Sequence, residues 1–226
     1  MRVTNLGNES AQYTAAIEEL RRAETEMMRQ REHVAELKRR LPEGPVVEDY
    51  LFHEGPTDLA AGDDPVREVR LSELFSGPDR PLMLYHFMYG KEQDRPCASC
   101  TMSIDGFRSV ADHLAGTLDF AVVAAAELPA LRAYARERGW TGLRLLSAAP
   151  SRFKYDLGSE DSAGGQDATL SVFTRDEGGA VRHYYSTRVR MADGDGQQAT
   201  DLLSPVWHLL DLTPQGRGDW YPRLSW

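Results

Sequence analysis

The chain has 226 residues, of which 26 are Lys or Arg and 35 are Asp or Glu, so its formal net charge is −9. That acidic balance argues against a general nucleic-acid binder. The length suits one domain with appendages or two small ones, and 41% hydrophobic residues are enough to build a core, which excludes wholesale disorder. The longest uninterrupted apolar run, Phe120 to Ala126, is seven residues. A spanning helix needs ~20, so no membrane segment is expected. The opening MRVTNLGNES has no apolar signal core, and the expected address is the cytoplasm.

In chain order, residues 10–41 read as one long amphipathic helix. Ala16, Leu20, Ala23, Met27, Gln30, Val34, Leu37 and Leu41 follow a 4-3-4-3 spacing, and Pro42, Gly44 and Pro45 stop it. The stripe can pack on the body of the chain or against a second copy, which makes a homodimer an expectation. A membrane-surface role is disfavoured because the helix charges are mixed. Residues 1–45 thus form the helical extension, and 46–80 a connector packing on the core. In that connector Tyr50, Leu51 and Phe52 suit a short strand and Val69 to Phe75 a helical turn. The remainder, 81–226, is the main domain with a C-terminal extension. PLMLYHFM reads as a buried parallel strand. A loop and a helix follow, the helix burying Cys100, Ile104, Phe107, Ala111 and Leu114. DFAVVAAA is a second buried strand, LPALRAYARERGW a helix ended by Gly139, and LRLLSA a short strand. Residues 150–168 read as a long loop, TLSVFTR and AVRHYYSTR as a hairpin around DEGG, and SPVWHLLDL as a closing helix. Strand, CxxC helix, strand, helix, strand and hairpin is the order of an α/β thioredoxin-like sandwich with a central mixed sheet.

Cys97 and Cys100 are the only cysteines. A lone pair in a reducing compartment is a poor structural staple, and one CxxC supplies only two of the four ligands of a usual zinc site. A redox dithiol is the leading reading. Cys97 would stand at the helix N-terminus, where unpaired N–H groups and the helix dipole favour a thiolate. It is the candidate attacking thiol, and Cys100, one turn on and facing inward, the resolving thiol. Lys91 and Arg95 could add positive charge or be solvated. His86 faces either the thiols or the core. Asp105, off the Cys100 face, is expected to anchor a hydrogen bond, and His113 to complement the helix C-terminus. Trp140, Phe153, Tyr155, Tyr184 and Tyr185 are either core or the walls of a substrate cleft.

The stretches RRLP, EDYLF, LSELF, YHFMYG, CASC, DGF, RGW, SVF, HYYS and LDLTPQGR resemble a family of thioredoxin-like bacterial proteins of unknown function, described as predicted dithiol-disulfide oxidoreductases. The resemblance spans residues 10–217 and implies the thioredoxin-like fold, a long N-terminal helix, and a redox role for Cys97 and Cys100. The chain departs from the family in having Ala98 and Ser99, not Pro-Gly, between the cysteines, and Arg152, Phe153 and Lys154 where an aromatic and an Asn are common. Thr169 stands where ordinary thioredoxins place a cis-proline facing the dithiol. That moves the expectation from a general protein-disulfide reductase towards a peroxiredoxin-like or small-molecule role.

Three functions remain open from sequence. The first is a dithiol oxidoreductase acting on a disulfide, peroxide or small molecule. It uses an external thiol reductant and no cofactor, with His86, Thr169, Trp140 and Tyr155 near the substrate. The second is a copper or zinc site built from Cys97, Cys100, His86 and His113, with Met102 as a further soft ligand. The third is a binding module whose dithiol is vestigial.

Overall fold

The computed structural model describes residues 6–188 and 203–224. The chain divides into two units, residues 1–43 and 44–226. The first is helix α1, Ala11–Arg39, whose N-cap is Ser10; the Ser10 hydroxyl accepts from Tyr13 N–H. The helix ends at Arg39, so Leu41 of the expected stripe lies beyond it, and none of its residues is buried.

The second unit is built on a seven-stranded sheet in the order β2-β1-β5-β4-β3-β6-β7. Strands β3 (Leu82–Phe87), β4 (Asp119–Ala124) and β5 (Arg144–Ser147) are parallel. Helices α2 (Ala98–Leu114) and α3 (Leu128–Arg138) connect them. The hairpin of β6 (Thr169–Arg175) and β7 (Val181–Arg188) adds antiparallel to β3. At the far edge β1 (Leu51–Glu54) pairs antiparallel with β5 and with β2 (Arg67–Arg70). This is the thioredoxin-like sandwich with a mixed sheet and a long N-terminal helix expected from the order of elements. The stretch read as a connector supplies two of the seven strands: Phe52 and Glu54 of β1 and Val69 of β2 turn inward on short segments. The stretch read as loop between β5 and β6 carries one helical turn, α4 (Phe153–Asp156), and the tail carries α5 (Pro205–Asp211).

Two apolar layers flank the sheet. Alternation along β3 sends Tyr85 and Phe87 into a cluster with Cys100 and Ile104 of α2 and Leu131, Tyr134 and Ala135 of α3. It sends Leu82 and Leu84 into the other cluster, with Phe52, Leu71, Leu74, Phe153 and Phe173. Alternation stops with the strand: Met88 lies just past β3 and packs on the Cys100 layer.

Candidate active site

Cys97 is the N-cap of α2, with extended backbone before the first helical residue, Ala98. Its position is pinned because Cys97 N–H donates to Met88 O at 3.1 Å, tying the helix start to the end of β3. The half-buried sulfur lies against the N–H groups of Ser99 and Cys100, although no full capping bond forms. An interaction with the Cys100 thiol, then those N–H groups and the Ser99 hydroxyl, outweigh partial burial and bring the Cys97 thiol down to about 6. Cys100 is only 2% exposed. The Cys97 thiolate beside it and its burial push its thiol well above the usual range, opposed by the Tyr85 hydroxyl and the Met88 N–H. Both thiols are free. One is poised as a thiolate and the other is held as a thiol, which is the asymmetry that attack followed by resolution requires.

The tail reaches this place: the Ser99 hydroxyl, between the two cysteines in sequence, donates to the Tyr221 hydroxyl at 2.9 Å. Thr101 shares a hydrogen bond with the Tyr134 hydroxyl at 3.0 Å, anchoring the first turn of α2 to α3.

Several residues singled out from sequence do not gather at the sulfurs. His86 is fully buried on the other face of β3, stacked on Phe153 with 5.1 Å between ring centroids. Burial, then the charges of Lys154 and His183, push its pKa well down. Thr169 stands opposite His86 in the β3–β6 ladder, so the two side chains share that far face. The residues that join the dithiol layer are its neighbours Ala168 and Leu170. This corrects the expectation of Thr169 beside the dithiol by one residue, which in a strand reverses the facing. His113 lies thirteen residues beyond Cys100 on α2, about 20 Å of helical rise away. The proposed metal set of Cys97, Cys100, His86 and His113 therefore does not converge. Among the described residues no group of three or more His, Cys, Asp or Glu is placed to hold a metal. Met102 instead lines a groove of about 280 Å³ with Asp105, Pro205 and Trp220.

Trp140 is core rather than cleft: it is buried, and its indole N–H donates to Asp105 at 2.7 Å. Asp105 also accepts from Arg138 at 2.6 Å, so it is the anchor its position suggested. Arg95 pairs with Glu137, and Lys91 donates to Ala149 O. Tyr155, 42% exposed, lines a cleft of about 400 Å³ with Lys91, Arg152 and Glu160.

One group escaped the sequence reading. Lys154, on α4, is 1% exposed, and its Nζ donates to Phe87 O at 2.7 Å. Burial lowers its pKa to about 7, and charge on Cys100, Glu160 and Asp167 opposes the shift. Its only trace in the sequence is the departure from the family pattern at residues 152–154.

An α/β sandwich of thioredoxin-like layout with a thiol pair at the start of its first central helix is the class of protein defined here. The chain belongs to the family described as bacterial protein of unknown function, DUF899, whose model matches residues 3–226. No curated protein matches the chain. Among solved structures, reduced Prx3 of Vibrio vulnificus in complex with hydrogen peroxide is similar at 16% identity and a TM-score of 0.49, over 70% of this chain and 89% of that one. The reduced 2-Cys peroxiredoxin of Plasmodium vivax is similar at 12% and 0.49, over 74% and 97%. The peroxidoxin BcpB of Mycobacterium tuberculosis is similar at 19% and 0.45, over 66% and 86%. No residue role is carried from them to this chain.

Proposed function

We propose that the protein is a thiol-dependent oxidoreductase in which Cys97 attacks and Cys100 resolves. The supporting observation is the asymmetry of the pair: a half-buried sulfur at the N-cap of α2, favoured as thiolate, and a buried thiol one turn inward. With a peroxide, the Cys97 thiolate attacks the terminal oxygen, the O–O bond breaks, and Cys97 becomes a sulfenic acid while the alkoxide or hydroxide leaves and takes a proton from solvent. The Cys100 thiol then displaces hydroxide, which departs as water with the thiol proton, and a Cys97–Cys100 disulfide forms. With a disulfide substrate, the same two steps pass through a mixed disulfide on Cys97. Two electrons leave the dithiol in either case, and an external thiol restores it. No resident cofactor enters these steps. Tyr155 and the cleft beside it are the place proposed for substrate contact.

The test is mass spectrometry of the protein after one equivalent of hydrogen peroxide or of an oxidised dithiol, followed by turnover with dithiothreitol. The expected product has lost two hydrogens, with Cys97 joined to Cys100. Cys97→Ser should abolish turnover. Cys100→Ser should stop at a Cys97 sulfenic acid or mixed disulfide. Full turnover by both variants would sink the reading.

A further inference from the structure

We propose that Lys154 is a positioning residue that favours negative charge on Cys100 through the Phe87–Met88 peptide, and so sets the rate at which the Cys97–Cys100 disulfide is opened by a thiol. This rests on the redox reading above. Lys154 is an unusual group to bury. It is 1% exposed on a helix of only four residues, and among the described residues its amine forms no ion pair. A buried cation without a carboxylate costs stability and calls for a reason. Its one hydrogen bond goes to Phe87 O. The same peptide unit carries the Met88 N–H, which is set against the Cys100 sulfur. A trans peptide points its C=O and N–H in opposite directions. The ammonium and the sulfur therefore stand at the two ends of one dipole. Charge on the oxygen end strengthens the N–H as a donor. The peptide is held in place, because Phe87 O also accepts from Tyr89 N–H at 2.8 Å and Met88 O accepts from Cys97 N–H at 3.1 Å.

The step that needs this help is reduction. A reductant thiolate attacks the more accessible Cys97 sulfur. A bond forms between the two, the Cys97–Cys100 bond breaks, and its electron pair stays on Cys100. The second thiol of the reductant, as its thiolate, then displaces Cys97 as a thiolate and closes the reductant's own disulfide. Two electrons have passed to the protein, and Cys100 takes one proton from solvent. Cys100 is 2% exposed, and burial disfavours the thiolate that must leave, which makes it a poor leaving group. The Tyr85 hydroxyl and the Met88 N–H oppose that, and Lys154 stands behind the second of them. The groups facing the amine are His86 on β3, Cys100 on α2, and Glu160 and Asp167 after α4, with His183 of β7 beyond His86. The amine helps only when protonated. In the disulfide the Cys100 charge that raises its pKa is absent, so its titration falls at or below about 7.

The experiment is stopped-flow reduction of the oxidised full-length chain by dithiothreitol from pH 5.5 to 9, each rate divided by the concentration of reductant thiolate. The wild-type quotient should fall about tenfold as pH rises through the Lys154 titration. Lys154→Met and Lys154→Gln should both be flat across the range and about tenfold slow at pH 6. Both remove a buried unpaired charge and are expected to fold, which circular dichroism checks. Gln keeps a donor to Phe87 O without the charge. A Gln variant that follows the wild-type curve would show that the hydrogen bond alone matters and overturn the inference. So would an inflection surviving in the Met variant. If oxidation yields no Cys97–Cys100 disulfide, the redox reading falls and this inference with it. If the disulfide forms and both variants open it at the wild-type rate, only the role of Lys154 falls.

Discussion

Cys97 shows how a single position acquires reactivity from its place in the backbone. As N-cap it meets the unpaired N–H groups of the first turn of α2, and the second thiol sits beside it. A depressed pKa means the thiolate is present above it and lost as pH falls through it. Alkylation of Cys97 by iodoacetamide, followed in a Cys100→Ala variant and in the wild type, tests this. The wild-type rate should reach half its maximum near pH 6, against ~8.5 for a free cysteine. In the Cys100→Ala variant, which has no donor at that position, the midpoint should move up, since the Cys100 thiol is the largest favourable influence on the Cys97 thiolate. Equal midpoints would contradict that cause. The same depression is linked to folding: the folded chain gains stability as pH rises from about 6 towards the unfolded value, and loses it as pH falls through about 6. His86 and Lys154 lie at the opposite limit, where burial disfavours charge on a base.

Among the elements, α3 is held to the segment after β1 by one buried cation. Arg132 is 2% exposed; its guanidinium donates to Asp63 at 2.8 Å, Pro56 O at 2.7 Å and Gly62 O at 2.6 Å. The Arg136 and Arg132 guanidinium groups together hold the Asp63 carboxyl down at about 2. Gly55 passes so close that a side chain there would meet the Arg132 guanidinium at 2.9 Å. Arg132→Met should lower stability by about 3 kcal/mol, because it strands the Pro56 and Gly62 carbonyls and leaves Asp63 with Arg136 alone. Urea unfolding measures it; a loss under about 1 kcal/mol would mean the loop relaxes to satisfy them. The strands and helices of this region were readable locally: apolar runs mark β3 and β4, and Gly139, with φ of 70°, ends α3 as a left-handed cap. The pairing of β1 and β2 was not, since each is four residues, with two polar side chains in β1 and three in β2. Their place at the edge depends on the ladder to β5.

At the scale of the whole molecule, both apolar clusters are formed by residues from Tyr50 onward, and α1 contributes no buried residue. The body therefore carries its own core. Removal of residues 1–43 should leave a cooperatively folding chain whose melting midpoint lies within a few degrees of the full-length protein, measured by circular dichroism. A drop of more than about 10 °C would show that α1 helps cover the body. Among the described residues no helix is long and apolar enough to cross a membrane.

What the sequence determined by itself was the order of elements from β3 to β5 and the β6–β7 hairpin, the cysteine pair at a helix start and its inward second sulfur. Periodicity, caps and spacing are local properties, and they survive folding. What tertiary structure decided was sidedness. Alternation along β3 separates His86 from Tyr85 and Phe87, but only the packing of α2 and α3 selects which set meets the dithiol. The same packing sets Thr169 opposite His86 and puts its neighbours Ala168 and Leu170 in the layer that holds Cys100. Lys154 was hidden for the same reason. A lysine in a polar stretch reads as solvated, and its burial follows from α4 folding under the sheet, where Phe153 joins the far core and the amine finds Phe87 O.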